Sequence, residues 1–259
     1  LNSETLQAAI EKAKPIKAKH EMKQSSAPLR KRKTSKLSTL LRYDANVQKA
    51  LSHNYHLIGL DEVGRGSLIG SVVGGAVCLP KTLNREQKRL LHWLDDSKKL
   101  NAAVRAELAE AIQSFCLWGI GQADKHEVDE LNIHYASLLA IYRALEALCA
   151  QTSQKPNDDH LFLLMDGKAT IPDYRSDRQR AIIKGDGCSA AIAAASVIAK
   201  HSRDTMIQTL AQDYPGYGWE VNMGYPTPTH IQAIRTHGVT SLHRKNFRKV
   251  YEQLKLPLQ

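Results

Sequence analysis

The stretch YHLIGLDEVGRGSLIGSVVGGAVCLP, from Tyr55 to Pro80, decides the architecture. HLIGLDEV is a nearly continuous apolar run that closes on two carboxylates, Asp61 and Glu62. Such a run reads as a strand buried on both faces. A tight Gly64-Arg65-Gly66 turn leads into a second run, GSVVGGAVCL. The connection is too short for a crossover helix, so the two strands are predicted to be antiparallel neighbours. Successive residues of a strand face opposite sides. Asp61 and Glu62 can therefore share one site only if the strand ends or twists there, and the glycines at 64 and 66 point to an ending.

Further strands and helices follow outward from this hairpin. NREQKRLLHWL and NAAVRAELAEAIQSF read as helices, opened by Asn84 and Asn101 as N-caps. FCLWGIGQA is a third strand, and NIHYASLLAIYRALEALCAQ a long amphipathic helix. HLFLLMDG is a fourth strand ending in Asp166, and RQRAIIKGDG a fifth, short one ending at Asp186. The helix SAAIAAASVIAKHSRDTMIQTLAQDY opens with small residues, which let it lie close on a sheet. Strands alternating with helices after an early hairpin predict an α/β fold, a mixed five-stranded sheet flanked by helices. C-terminal helices follow it, and a basic N-terminal extension precedes it.

Charge divides the chain in two. Residues 1–50 hold twelve Lys or Arg against four Asp or Glu, so they carry eight of the ten net positive charges. The excess is densest at LRKRKTSK, Leu29 to Lys36. The expected division is an extension over 1–50, flexible or helical, and a catalytic domain over 51–259. A basic arm of this kind suits a polyanion partner. The sequence lacks a run of ~18 apolar residues, so no transmembrane helix is expected, and it opens on no signal-peptide pattern. Cys78, Cys116, Cys149 and Cys188 are scattered without a CxxC pair. That usage fits reduced thiols and a cytoplasmic setting better than a zinc site.

Three predicted strands end in acids: Asp61 with Glu62, Asp166, and Asp186. Ends of neighbouring strands are where α/β sheets place their sites. Carboxylates meeting there repel one another, and divalent cations remove that cost. Hard oxygen ligands select Mg²⁺ or Mn²⁺, and a cluster of this size can hold two ions for hydrolysis of a phosphodiester. His230, His237 and His243 are irregularly spaced and read as packing or phosphate-contact residues. Asp204 reads as an ion-pair partner of Arg203 or Lys200.

The motifs DEVGRG, DDSKKL, LMDG, IIKGDG with AAIAAASVIAKHSRD, and GYPTPTH with HG and HRKNF stand in this order between about Leu57 and Phe247. Together they resemble the successive motifs of the bacterial type 2 ribonucleases H, ribonuclease HII. The resemblance implies an RNase H-like fold and a metal-dependent endonuclease acting on RNA–DNA hybrids and on single ribonucleotides embedded in duplex DNA. Cleavage would fall on the 5′ side of the ribonucleotide and leave a 3′-hydroxyl and a 5′-phosphate. By motif, Asp61, Glu62, Asp166 and Asp186 are the catalytic, metal-binding acids. Gly64, Arg65 and Gly66 match the element that senses the 2′-hydroxyl, Tyr225 a tyrosine that packs on the next deoxyribose, and Lys98 a lysine near the scissile phosphate. Ser67 and Ser71 stand where the family commonly has proline, and Asn246 where it usually has serine. The alternatives are a type 3 ribonuclease H, which prefers longer RNA tracts, and a non-catalytic nucleic-acid binder on the same scaffold. Gly-Arg-Gly favours type 2, and a pure binder gains nothing from four carboxylates facing a polyanion. The tail QLKLPLQ, Gln253 to Gln259, resembles the short peptide by which bacterial replication and repair proteins dock on the sliding clamp. A monomer without membrane contact is expected.

Overall fold

The structure is a computed structural model that describes residues 35–51, 55–152 and 154–254. The element order is α1 (Lys36–Ala50), β1 (His56–Val63), β2 (Val72–Cys78), α2 (Arg85–Leu90), α3 (Ala102–Phe115), β3 (Leu117–Ala123), α4 (Lys125–Cys149), β4 (Leu161–Asp166), β5 (Gln179–Ile182), α5 (Ala190–Asp213), α6 (Trp219–Asn222), α7 (Pro228–His237) and α8 (Arg248–Leu254). The five strands form one sheet in the order β3-β2-β1-β4-β5. β1 pairs antiparallel with β2, as the short Gly-Arg-Gly connection requires, and parallel with β4. β4 pairs parallel with β5.

Alternation along the strands gives the sheet two covered faces. Ile58, Leu60, Leu161, Leu163 and Met165 pack under Leu138, Ile141 and Leu145 of α4. The opposite residues meet α5: Phe162 and Leu164 pack on Ile192. A Cβ built on Gly59 would lie 2.0 Å from the backbone carbon of Ala191, so α5 can reach β1 only because residue 59 has no side chain. A separate apolar group, with Trp219, Ile207, Ile234 and Val250, holds α6, α7 and α8 against the Leu68–Ile69 segment. Among the described residues no helix is long and apolar enough to cross a membrane.

β1 ends at Val63, just before Gly64, as HLIGLDEV predicts, with Asp61 and Glu62 still paired to β2 opposite Gly75 and Gly74. Three local expectations change. β5 stops at Ile182; Lys184 takes left-handed backbone angles, and Asp186 sits on a 3₁₀ turn, Gly185–Gly187. The long helix starts at Lys125, capped by Asp124, and breaks at Asn132, where φ is 63°. Residues 36–50, assigned to the extension from their charge, form α1 and pack on the domain. Leu37 and Leu40 lie in one core with Ala190, Ala193 and Ala194, and Val47 in another with Tyr55 and Phe162. Each such leucine contributes about 1.5–3 kcal/mol when buried. The apolar spacing of Leu37, Leu40, Leu41 and Val47 was masked by the basic run that precedes it. Most of the basic arm, residues 1–34, lies outside the described residues.

Candidate active site

Strand register builds the acidic cluster. Leu60 pairs with Met165 across the parallel β1–β4 ladder. The next residues, Asp61 and Asp166, therefore stand side by side at the carboxyl ends of both strands, on the face covered by α5. Asp186 joins them from the turn between β5 and α5. The Gly185 N–H donates to Asp166 Oδ1 at 2.7 Å and ties that turn to the end of β4. One oxygen from each of Asp61, Asp166 and Asp186 lies within 4.8 Å of the others.

Glu62 follows Asp61 on the strand and lies outside this group of three, though it lines the same cleft. Its Oε1 receives Arg65 Nη1 at 3.0 Å. Its charge still acts on Asp61. Burial first, then Glu62 and Asp166, hold the Asp61 carboxyl well above the usual carboxylate range, and the Glu62 N–H and the Ser196 hydroxyl offset only part of this. Burial and then Asp166 raise Asp186 as well. Burial works against the Lys98 charge, but Asp61, Asp186, Asp96 and Asp166 outweigh it and hold its ammonium above the usual lysine range. These acids repel one another, and Lys98 offsets only part of that repulsion. An all-oxygen, multiply charged set of this kind fits a hard divalent cation.

A cleft of about 360 Å³ opens beside the cluster, lined by Asp61, Glu62, Lys98, Arg105, Lys200 and Tyr225 among others. One wall is the Gly-Arg-Gly loop. A Cβ on Gly66 would touch the Tyr225 ring at 3.7 Å, so the loop and the tyrosine, far apart in sequence, meet here. Gly64 has φ +93°, and a Cβ there would lie 2.2 Å from Arg203 Nε. The glycine is required both by the backbone angle and by the arginine behind it.

The sequence did not reveal what holds this loop. Arg244 is fully buried. Its Nε donates to Gly70 O at 2.9 Å, and its Nη1 to the carbonyls of Gly64 at 2.8 Å, Ser67 at 2.8 Å and Arg65 at 3.2 Å. In a trans peptide C=O and N–H point opposite ways. Drawing the Gly64 and Arg65 carbonyls inward thus turns the N–H groups of Arg65 and Gly66 away from Arg244. Arg203, also fully buried, donates to Met223 O at 3.2 Å and lies 5.6 Å from the centre of the Tyr225 ring. Arginine in HRKNF and HSRD looks from sequence like surface charge; its burial follows from tertiary packing alone. Ser67 uses its hydroxyl within the loop, donating to Ile69 O and accepting from Ile69 N. Asn246 Nδ2 donates to Asp129 O and its N–H to Asp129 Oδ1, binding α4 to the C-terminal part.

The remaining charged groups are structural. Asp204 pairs with Lys200 at 2.6 Å, as the sequence suggests, and with Arg105 at 2.9 Å in place of Arg203. His230 and His243 are buried, and His230 Nε2 accepts from Trp219 Nε1 at 2.9 Å. Its other nitrogen therefore carries the proton and donates to Tyr225 O at 2.9 Å. Burial, with His230 beside it, pushes His243 down to about 4. These histidines pack and orient; they do not form a metal site.

Sheet order and acids at adjoining strand ends define an RNase H-like nuclease fold. Solved structures with the same fold include ribonuclease HII from Archaeoglobus fulgidus, determined in complex with PCNA, at a TM-score of 0.59 and 23% identity over 78% of this chain and 98% of that one. Bst-RNase HIII, determined in complex with Mn²⁺, also has a TM-score of 0.59, with 19% identity over 79% of this chain and 70% of that one. The family model for ribonuclease HII matches residues 58–250, and ribonuclease HII of Myxococcus xanthus is 43% identical over 224 residues, 86% of this chain and 70% of the relative. The chain belongs to the ribonuclease HII family and is a metal-dependent ribonuclease H.

Proposed function

We propose that this enzyme hydrolyses RNA in RNA–DNA hybrids and cuts duplex DNA at single embedded ribonucleotides. It cuts on the 5′ side of the ribonucleotide, leaving a 3′-hydroxyl and a 5′-phosphate, with two Mg²⁺ or Mn²⁺ ions. The observation that carries this reading is the placement of Asp61, Asp166 and Asp186 within 4.8 Å of one another, beside a cleft whose wall sets Gly66 against Tyr225. Bound to the carboxylates, the ions supply an activated water and charge stabilisation at the leaving oxygen.

The chain's own groups do the rest. Lys98 brings a positive charge to the scissile phosphate. Glu62 adds a fourth carboxylate to the same cleft. The outward N–H groups of Arg65 and Gly66, with the nearby carbonyls, fit the ribose 2′-hydroxyl, which is both donor and acceptor and so marks RNA. The Tyr225 ring offers its face to the deoxyribose that follows. The deciding experiment is cleavage of a DNA duplex holding one ribonucleotide, with Mg²⁺ and then with EDTA, with the products mapped. Cutting on the 3′ side, or cutting that survives EDTA, would refute the reading.

Tyr225→Ala is expected to reduce kcat/KM on the single-ribonucleotide duplex by about tenfold, the scale of one lost ring contact. The loss on a long hybrid, where every position is ribose, is expected to be smaller. Equal losses on both substrates would make Tyr225 a purely structural residue.

The C-terminal peptide gives the enzyme a second partner, the bacterial sliding clamp. Gln253 and Leu254 end α8, where Leu254 is 49% exposed and free to meet a groove; residues 255–259 lie outside the described residues. Deleting residues 253–259 is expected to abolish binding to a purified bacterial clamp while cleavage of short free duplexes continues. Clamp binding that ignores the deletion would remove this assignment.

A further inference from the structure

The turn that carries Asp186 has little to hold it from its own side. Gly187 N–H bonds to Lys184 O, and the N–H groups of Cys188 and Ser189 bond to Gly185 O, all within the turn itself. A Cβ on Gly187 would meet nothing within 4 Å. Beyond the bond from the Gly185 N–H to Asp166, the tertiary hold comes from α1, which precedes the segment matched by the family model, residues 58–250. Lys36 Nζ donates to Gly187 O at 2.9 Å and pairs with Asp95 at 3.5 Å, so it bridges the Asp186 turn and the segment that carries Lys98. Two turns further along α1, Asp44 Oδ2 accepts from the Ala191 N–H at 3.0 Å, inside the first turn of α5. Leu37 and Leu40 press the same helix onto Ala190, Ala193 and Ala194.

We infer that α1 is a positioning element for the metal site, with Asp44 as the positioning residue that fixes the start of α5 and, through it, Asp186. The inference rests on the proposed role of Asp186 as a metal ligand. The physical ground is general: a ligand carboxylate keeps its geometry only when neighbouring groups hold its backbone, and losing such a group typically weakens metal affinity by about 10–100-fold. An exposed cap of one helix would leave catalysis unaffected. This cap is different because three residues separate Asp186 from the first residue of α5. Burial pushes the Asp44 carboxyl up to about 7. Its work is therefore done by an acceptor oxygen more than by charge, and asparagine is a fair substitute.

The test uses the full chain and Mn²⁺ alone, without nucleic acid. Free Mn²⁺ is followed by its electron paramagnetic resonance signal during titration of wild type, Asp44→Ala, Asp44→Asn and Lys36→Met. Asp44→Ala is expected to weaken Mn²⁺ binding about tenfold, and Asp44→Asn to restore it to within about threefold of wild type. Lys36→Met, which spares the cap and loses a half-exposed pair, is expected to weaken it about twofold. In cleavage assays the Asp44→Ala defect should be overcome by added Mn²⁺, with KM for the oligonucleotide unchanged. Wild-type Mn²⁺ affinity in Asp44→Ala, or a cleavage defect that no metal concentration relieves, would overturn the inference. If Asp44→Ala fails to fold, Lys36→Met decides alone, and wild-type affinity there counts against it. The isotherms stand whether or not the wild type cuts at a ribonucleotide, so failure of the functional reading and failure of the positioning role are separable.

Discussion

Cleavage is expected to fall by on the order of 10³-fold in Asp166→Asn and in Asp61→Asn, under saturating Mg²⁺ and with the fold intact. Asparagine keeps an oxygen at nearly the same place. In Asp166→Asn that oxygen can still accept from the Gly185 N–H, so the turn carrying Asp186 stays tied to β4. What is lost is one negative charge from the group that receives the metal. The same change should not destabilise the chain. The Asp61 carboxyl is held above its usual range by burial and by its neighbours, so ionising it costs the folded state free energy. A raised acid stabilises the fold relative to its ionised form below the ordinary carboxylate range, and that contribution is lost as pH rises through the raised value. At neutral pH in EDTA, Asp61→Asn is therefore expected to melt at or above the wild-type temperature. Scanning calorimetry in EDTA and turnover with Mg²⁺ check both halves. Near-normal turnover in either variant would end the assignment of these carboxylates to the metal site.

The second large effect is expected at Arg244. Replacing it with methionine leaves the carbonyls of Arg65, Ser67 and Gly70 without the donor they have here, while that of Gly64 keeps only the Ser67 N–H. A buried polar group left unpaired costs about 1–3 kcal/mol. One term opposes this. Burial, and then Arg203, press the Arg244 guanidinium down to about 9, so removing it relieves a desolvated charge. Three orphaned acceptors outweigh one relieved cation, and Arg244→Met is expected to lose about 3 kcal/mol or more of stability. On the proposed role of this loop in sensing the 2′-hydroxyl, releasing it from its bolt should also weaken that selection. Discrimination between a single-ribonucleotide duplex and an all-DNA duplex is expected to narrow even where residual turnover persists. Urea unfolding and paired kcat/KM values measure the two effects. Wild-type stability with unchanged discrimination would show that the loop holds itself.

Much of the sheet was legible because its signals are local. The apolar runs of β1 and β4, the short connection to β2 and the Asn84 and Asn101 caps sit within a few residues of the feature they specify. The acids at strand ends were legible for the same reason, and register then brought three of them together. Alternation along β1 left Glu62 outside that group of three, since the strand runs on to Val63 before the glycines end it. What the sequence hid is long-range. Arg244 reads as one basic residue in HRKNF, and only its burial against a loop about 180 positions earlier gives it a role. Asp44 stands in a basic segment with nothing local to mark it, yet it accepts from a helix N–H 147 positions later. Neither has a spacing that could have announced it.

The parallel pairing of β1 with β4 has a consequence for the order in which the molecule becomes competent. β1, β2 and β3 are joined by nearest-neighbour antiparallel pairings and lie within residues 56–123. Asp166 and Asp186 arrive later in the chain, and the β1–β4 pairing that brings them to Asp61 closes a long loop at a higher entropic cost. A nascent chain that ends within α4 carries one of the three clustered carboxylates. A chain that ends before α5 has all three but lacks the helix that covers their face of the sheet. The covered acidic cluster is thus withheld from every chain that ends before α5, and the least local pairing of the sheet, β1 with β4, is needed to gather it.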